Sequence, residues 1–177
     1  AGNDGGTAMH VGGTMIGDSP VAISFVVPTY TPNAGSNNDE LFFDFWVDGN
    51  PNLTATVQSP TGVTYTRNAD ESGMAPSTVD GTIEIWNTTS PLNGHRNIQL
   101  YVHDAGTDTV RVGTWTLTLT LATGSQAYDG WLAKRTVGTA SITLTGGNTS
   151  KTVSMPATSA GAITVASYVT KWGWSTA

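Results

Sequence analysis

Hydrophobic and polar residues alternate with a period of two along most of this chain. The clearest run is WTLTLTL, whose two sides carry apolar residues and threonines respectively: Trp115, Leu117, Leu119 and Leu121 against Thr116, Thr118 and Thr120. Similar runs occupy 21–27, 41–47, 53–59, 62–66, 82–87, 97–104, 140–145 and 162–169. Clusters of Gly, Pro, Asn and Asp, which favour turns, separate them. The pattern predicts many short strands and no helix, and therefore an all-β antiparallel sandwich.

The alternation also predicts which residues fill the core. In the run NIQLYVHD, the residues Ile98, Leu100 and Val102 share one side, which matches the apolar side of WTLTLTL. We expect these two strands to pair across the connection DAGTDTVRVG, because each then presents an apolar side to the same core. His103 lies on the opposite side from Val102 and is expected to point to the solvent.

Composition and charge narrow the classes of partner. The 177 residues suit one domain with its own core, and 38% of them are apolar while 11% are charged, which argues against disorder. The net charge is −6 and the basic residues form no stripe, so we expect no nucleic-acid partner. No apolar run reaches the length of a membrane span, so we expect no membrane partner. The absence of cysteine excludes disulfides and agrees with the secreted, extracellular bacterial protein that we expect.

The first residues, AGNDGGTAMHVGGTM, resemble a segment of the subtilisin-like serine proteases. In that family a strand and turn reading roughly AAGN, then Asp or Glu, then Gly, carries an asparagine that donates a hydrogen bond to the oxyanion of the tetrahedral intermediate. The resemblance implies that Asn3 is this donor. A side-chain amide held by a tight glycine turn can be aimed at the oxygen on which negative charge develops.

The last residues, TVSMPATSAGAITVASYVTKWGW, resemble a second subtilase segment, in which a turn leads into a core strand similar to ITVGAY. The matching residues are 156–160 and 163–168, with Ala166 where the family usually has glycine. Ordinary subtilisins separate the two segments by a short stretch, whereas some bacterial members carry a jelly-roll domain inserted there. The resemblance implies a jelly-roll-like sandwich at 16–155 within one β-sandwich domain, flanked by segments like the protease core at 1–15 and about 156–177.

Two internal segments support the same interpretation. AYDGWLAKRT at 127–136 is similar to the segment by which such inserts return to the protease core. RVGTWTLTLT at 111–120 is similar to a strand of the proprotein-convertase P domain and of related prepeptidase C-terminal domains. On this interpretation AGNDGG is the cut edge of a larger protein. An inserted domain needs its two ends side by side, so residues 1–15 and 160–177 are expected to lie close together.

The catalytic motifs of the subtilases do not occur in this chain. The family needs Asp followed by Ser or Thr and Gly, His in HGTH and Ser in GTSMA, and HVGG at 10–13 does not match the second motif. Without a nucleophile and a base an oxyanion donor has nothing to stabilise, so we expect no protease activity from this chain alone. We expect a non-catalytic accessory domain that shapes substrate access, stabilises the protease or binds a macromolecule. Its partner would be the remainder of the parent protease, or a protein or polysaccharide substrate.

A structural calcium ion is the one cofactor that the sequence suggests. Jelly-roll modules often hold calcium, and the oxygen ligands that calcium prefers occur at Asp44, Asp48, Asp104 and Asp108. Their spacing is not that of an EF-hand, and Asp also occurs in turns for conformational reasons alone. The sequence leaves both interpretations open.

The remaining titratable candidates favour structural roles. His10, His95 and His103 lack the spacing of metal ligands, so each is expected to be a structural or surface histidine. Asp44 and Glu84 are the carboxylates from which a glycoside hydrolase pair could be built. Each lies on the polar side of a predicted strand, where a solvated carboxylate is expected.

The tryptophans support an alternative function, that of a stand-alone carbohydrate-binding or adhesion module. Flat aromatic rings stack on sugars, and the candidates are Trp46, Trp86, Trp131, Trp172 and Trp174. Trp46 and Trp115 are nevertheless expected to face the core, because a sandwich of this size needs large residues to fill it. An independent hydrolase is a third hypothesis, which an activity screen of the purified chain would test.

Overall fold

The computed structural model describes residues 7–75, 79–105 and 108–152, and strands are the regular elements of this part of the chain. The strands are β1 (His10–Ile16), β2 (Val21–Val27), β3 (Glu40–Val47), β4 (Leu53–Gln58), β5 (Thr64–Arg67), β6 (Glu71–Met74), β7 (Thr82–Thr89), β8 (Arg96–His103), β9 (Gly113–Leu121), β10 (Ser125–Lys134), β11 (Thr136–Val137), β12 (Ala140–Ser141) and β13 (Thr143–Leu144). Over these described residues no helix has the length and hydropathy to cross a membrane.

The strands form two antiparallel sheets and a small hairpin. The first sheet has six strands in the order β1-β10-β3-β8-β7-β6, and the second has five in the order β13-β2-β9-β4-β5. β11 and β12 pair with each other in a separate two-stranded hairpin.

The path of the chain between the sheets is that of a jelly roll. β1 and β3 lie in the first sheet, whereas β2 and β4 lie in the second. On its return the chain inserts β10 between β1 and β3, and β9 between β2 and β4, as in the double Greek key of a jelly roll. The hairpin β6–β7 extends the first sheet beyond β8. The predicted all-β, jelly-roll-like antiparallel sandwich is confirmed.

Four aromatic rings form the centre of the core between the two sheets. Phe25 of β2 lies 4.8 Å from Phe43 of β3 between ring centroids and 6.2 Å from Trp115 of β9, while Phe43 lies 5.6 Å from Phe45. All four side chains are completely buried. We call Phe25, Phe43, Phe45 and Trp115 the core stack. The aliphatic residues on the inner sides of both sheets surround it.

The apolar sides of β8 and β9 are buried as predicted, but the two strands do not pair. Ile98, Leu100 and Val102 are each 0% exposed. β8 pairs with β3 and β7 in the first sheet, whereas β9 pairs with β2 and β4 in the second. The predicted pairing is wrong because alternation specifies which side of a strand is buried but not which strand lies beside it.

Trp46 does not face the core, in contrast to the prediction, although Trp115 does. β3 carries aromatic residues on both sides, and its inner side is occupied by Phe43 and Phe45. The two-residue period therefore turns Trp46 outward, where it is half-buried and its indole N–H donates to Asp44 at 3.0 Å.

His103 is buried rather than solvated, although it does lie on the opposite side of β8 from Val102. Its side of the sheet is covered by neighbouring residues, so that it is 8% exposed. Its Nε2 lies 3.1 Å from a carboxylate oxygen of Glu84 on β7, and its ring centroid lies 4.9 Å from that of Tyr101.

Three strands of the first sheet, β1, β6 and β10, have no counterpart among the predicted strands. β1 contains Gly12 and Gly13, β10 contains Gly130, and β6 lacks large alternating apolar residues. β10 nevertheless lies between β1 and β3, although 127–136 resembles a segment that returns to a protease core. The first sheet thus includes residues from His10 onward. The division of the chain into an insert at 16–155 and flanking protease-like segments stays a prediction.

Gly130 allows β10 to pack against the core, and this generates a prediction. It lies opposite Phe45 in the pairing of β10 with β3, and a Cβ at this position would overlap the Phe45 ring. We expect Gly130→Ala to lower the free energy of unfolding by about 1–3 kcal/mol, measured by urea denaturation, because overpacking displaces a core ring. The control is Gly13→Ala on the neighbouring strand, whose Cβ would lie 3.4 Å from the Tyr128 ring in ordinary contact. Equal losses in both variants would contradict the prediction.

Candidate functional site

The two ends of the described chain meet at the outer edge of the first sheet. The backbone N–H of His10 donates to the Asn148 carbonyl at 3.2 Å, and the N–H of Asn148 donates back to the His10 carbonyl at 2.8 Å. Gly147 lies directly against Ala8, since a Cβ there would be 2.5 Å from the Ala8 carbonyl oxygen. Residues 7–10 and 147–152 therefore lie side by side on the sandwich.

The side chain of His10 joins both ends to β10, the strand next to β1 in the first sheet. Its Nδ1 lies 2.9 Å from Oδ1 of Asn148, and its Nε2 lies 2.8 Å from Oδ1 of Asp129. The same Asn148 oxygen accepts the N–H of Ser150 at 2.8 Å, which identifies it as an acceptor. Both ring nitrogens of His10 therefore lie within hydrogen-bond distance of an oxygen atom.

Asp129 connects His10 with Lys151. The Lys151 ammonium donates to both oxygens of the Asp129 carboxylate, at 2.8 and 2.6 Å. Burial alone would raise the pKa of Asp129, but the hydrogen bonds and charges of Lys151 and His10 outweigh it and hold the pKa below its ordinary value. We call His10, Asp129, Asn148 and Lys151 the terminal cluster.

The contacts of the terminal cluster stabilise the fold, and they leave His10 poorly placed for proton transfer. His10 is 4% exposed, and both of its nitrogens are already paired. A general base needs a nitrogen within reach of the proton that it removes, and neither nitrogen of His10 meets this condition. The expected structural role agrees with the position of His10. Nothing near it in the sequence indicates its partners, which lie 119 and 138 residues away.

The four aspartates predicted as calcium ligands are spread over the sandwich. Asp44 lies on the outer side of β3, where it accepts hydrogen bonds from Trp46 and from Asn97, while Asp48 is exposed beyond the end of that strand. Asp104 is buried and Asp108 lies in a bridge with Ala105.

Asp104 has a structural role of its own. Its Oδ1 accepts the backbone N–H groups of Asn38 and Asp39, each at 2.8 Å, and this holds the loop before β3 against the end of β8. Within the ranges that the structure describes, no three His, Cys, Asp or Glu side chains lie together as a metal ion would require. Calcium binding stays a prediction of the sequence.

The other candidates are also separated from one another. His95 is partly exposed and its Nδ1 accepts the N–H of Gly49 at 3.2 Å. Glu84 pairs with His103, and Asp44 accepts hydrogen bonds from Asn97 and Trp46. Both carboxylates therefore have protein partners, in contrast to the expectation that they would be solvated. Asn3, with the matching segments 156–160 and 163–168 and the residues Trp172 and Trp174, lies outside the described residues.

Comparisons with known proteins support the fold. No family model matches the chain, and no curated protein matches it. A solved structure of the CspB protease of Clostridium perfringens is similar, with a TM-score of 0.71 and 22% sequence identity over 96% of this chain. At that identity the likeness is one of fold. The chain spans 34% of the length of that protease, a share compatible with an accessory domain of a protease.

The terminal cluster generates a prediction about stability and pH. Asp129 has a lowered pKa, so its contribution to stability is present above the ordinary carboxyl pKa of about 4 and is lost as the pH falls through the lowered value. We expect Asp129→Asn to lower the free energy of unfolding at pH 7 by about 1–2 kcal/mol, because the Lys151 and His10 donors lose a charged acceptor.

The measurement is chemical denaturation of both proteins between pH 3 and pH 7, a range chosen around the ordinary carboxyl pKa of about 4. The difference in the free energy of unfolding between the Asp129→Asn variant and the wild type should become smaller as the pH falls toward 3. Asp48→Asn is the control, because that side chain is 71% exposed and one of its carboxylate oxygens lies 3.8 Å from Nδ1 of His95, beyond hydrogen-bond distance. An Asp129→Asn difference that is as small as the control, or that is constant with pH, would contradict the prediction.

Proposed function

We propose that this chain is a non-catalytic sandwich domain inserted into a secreted subtilisin-like serine protease. The insertion lies between the segment that carries the oxyanion donor and the next strand of the protease core. The sequence resemblances at 1–15 and about 156–177 support this placement, and the likeness to a protease over 34% of its length agrees with it.

The adjacency of the two described ends is the observation that carries the proposal. A domain inserted into another domain must return its chain to the point at which it left, or the host fold is split apart. His10 and Asn148 form a backbone bridge, and the terminal cluster reinforces it with side-chain hydrogen bonds. The two connections to the host would therefore leave the sandwich from one place.

The roles of such a domain follow from its rigidity and position. A sandwich fixed by two connections close to the oxyanion donor stands near the rim of the active site. There it limits which substrates approach, or it stabilises the host by holding two core segments together. Because the chain itself lacks the nucleophile and base motifs of the family, the domain contributes no chemistry apart from Asn3.

The gene on either side of this sequence provides the first test. We expect an upstream reading frame with Asp before Ser or Thr and Gly, then HGTH, and a downstream frame with GTSMA. Flanking sequence without these motifs would contradict the proposal. The purified chain alone should not hydrolyse peptides or react with a serine-directed fluorophosphonate, and turnover would favour an independent hydrolase.

Asn3 provides the second test, in the full-length protease. Asn3→Ala should lower kcat by about 10²–10³ with little change in KM, because the lost hydrogen bond forms only with the oxyanion. The matched control is Asn52→Ala at an exposed turn of the sandwich, which should leave kcat unchanged. Equal activity of the Asn3→Ala enzyme and the control would exclude the assigned role.

A further inference from the structure

We propose that the outer side of the first sheet binds a neutral polysaccharide. Five aromatic side chains lie there on four adjacent strands, all of them half-buried: Phe42, Trp46, Trp86, Tyr101 and Trp131. We call these residues the aromatic face. This site goes beyond the proposed function, because it requires neither a protease host nor the chemistry of one.

The register of the sheet arranges the aromatic face around a polar centre. Trp131, Asp44, Gln99 and Trp86 lie in one row across β10, β3, β8 and β7. Three steps between strands separate the two tryptophans, so their backbones are about 14 Å apart. The ends of this row are aromatic and its middle is polar, and a ligand that follows the row meets both kinds of surface.

The neighbouring rows add a ring on either side of this polar centre. Trp46 lies two residues after Asp44 on β3, and Phe42 lies two residues before it. Phe42 also contacts Tyr101 edge to face, with ring centroids 6.4 Å apart. The rings thus surround Asp44 and Gln99 without covering them, which gives a broad platform rather than a closed pocket.

Hydrogen bonds hold the polar centre in a fixed conformation. One Asp44 oxygen accepts the Trp46 indole N–H at 3.0 Å, and the other accepts the Asn97 amide at 2.6 Å. Asn97 also donates to the Phe45 carbonyl, so the network is tied to the backbone. A carboxylate oxygen accepts more than one hydrogen bond, so Asp44 keeps acceptor capacity toward the solvent.

Two further polar groups on this side have no hydrogen-bond partner among the described residues. Neither the side-chain amide of Gln99 nor the indole N–H of Trp86 hydrogen-bonds to any protein group in the part of the chain that the structure describes. Both side chains are half-buried in the same row as Asp44. Together with Asp44 they offer donors and acceptors side by side between aromatic rings.

This combination matches a neutral sugar chain. A pyranose ring has apolar C–H faces that pack on aromatic rings, and hydroxyl groups around its edge that both donate and accept hydrogen bonds. Binding sites for such ligands combine aromatic lining with a small number of fixed polar groups. Asp44 accepts from hydroxyls, the Trp86 indole donates to them, and Gln99 does both.

The other classes of ligand fit this surface less well. Single-stranded nucleic acid also stacks on aromatic residues, but it needs a positive groove. Glu40, Asp44 and Glu84 lie on this side of the sheet, and Lys134 on the same side is paired with Glu40. The core of an interface with a second copy is depleted of charge, yet here Asp44 lies at the centre. A peptide that adds a strand binds at a sheet edge and not on a face.

Affinity electrophoresis of the full chain in gels that contain neutral polysaccharides tests the proposal, followed by calorimetry with the polysaccharide that retards it. We expect retardation by at least one neutral polysaccharide of a panel of α- and β-glucans, mannans and xylans. Trp46→Ala and Trp86→Ala should each weaken binding by about 10- to 100-fold, because buried aromatic anchors carry most of the affinity of such sites. Gln99→Ala should weaken it as well, and this variant removes no packing ring.

Leu92→Ala is the matched control, since Leu92 is 94% exposed at the turn between β7 and β8 and lies outside the aromatic face. It should bind as the wild type does. Circular dichroism establishes that each variant is folded. The proposal is overturned if no neutral polysaccharide retards the chain, or if all folded variants bind as tightly as wild type.

Discussion

The core stack between the two sheets determines which side of β3 faces the solvent, and the outer surface depends on that choice. The inner contact of Phe43 with Phe25 spans the sandwich at 4.8 Å and is completely buried. β3 carries large residues on both sides, so a shift by one residue would exchange them and turn Asp44 and Trp46 inward. An ionised carboxylate in that position would lose its solvation without gaining its present partners. The stack and the charge of Asp44 therefore favour the same register, and that register creates the aromatic face.

The sequence predicts most of the fold where one side of a strand is unambiguously apolar. β9 has threonine opposite every apolar residue, and the predicted sides are the observed ones. β3 has aromatic residues on both sides, so alternation alone could not assign Trp46, and the opposing sheet decides its orientation. The partner of β8 could not be predicted either, because the same apolar side suits a neighbour in either sheet. β10 was missed since Gly130, which the Phe45 ring requires, interrupts the alternation.

The candidate site depends on residues that are distant in sequence, and its prediction was correspondingly incomplete. His10 was expected to be structural, but nothing near it in the sequence indicates Asp129 or Asn148, which the jelly-roll path brings to it. The sequence indicates three of the five residues of the aromatic face, Trp46, Trp86 and Trp131, as candidates for stacking on sugars, yet the expected inward orientation of Trp46 argues against such a site. The polar centre around Asp44 and Gln99 is a property of strand register, which alternation within single strands does not contain.

The terminal cluster and the aromatic face share β10 but extend in different directions from it. Asp129 lies in register with Gly12 on the edge strand β1, toward the chain ends, and the cluster binds those ends there. Trp131 also contacts this region, because its indole N–H donates to the Lys151 carbonyl at 2.8 Å. From Trp131 the aromatic face continues across β3 and β8 to Trp86 on β7, away from the ends. A host attached at the ends would thus leave most of the face open. Attachment at the ends and a ligand on the face would be compatible in one domain, because the face extends from β10 to Trp86, three strand spacings away on β7.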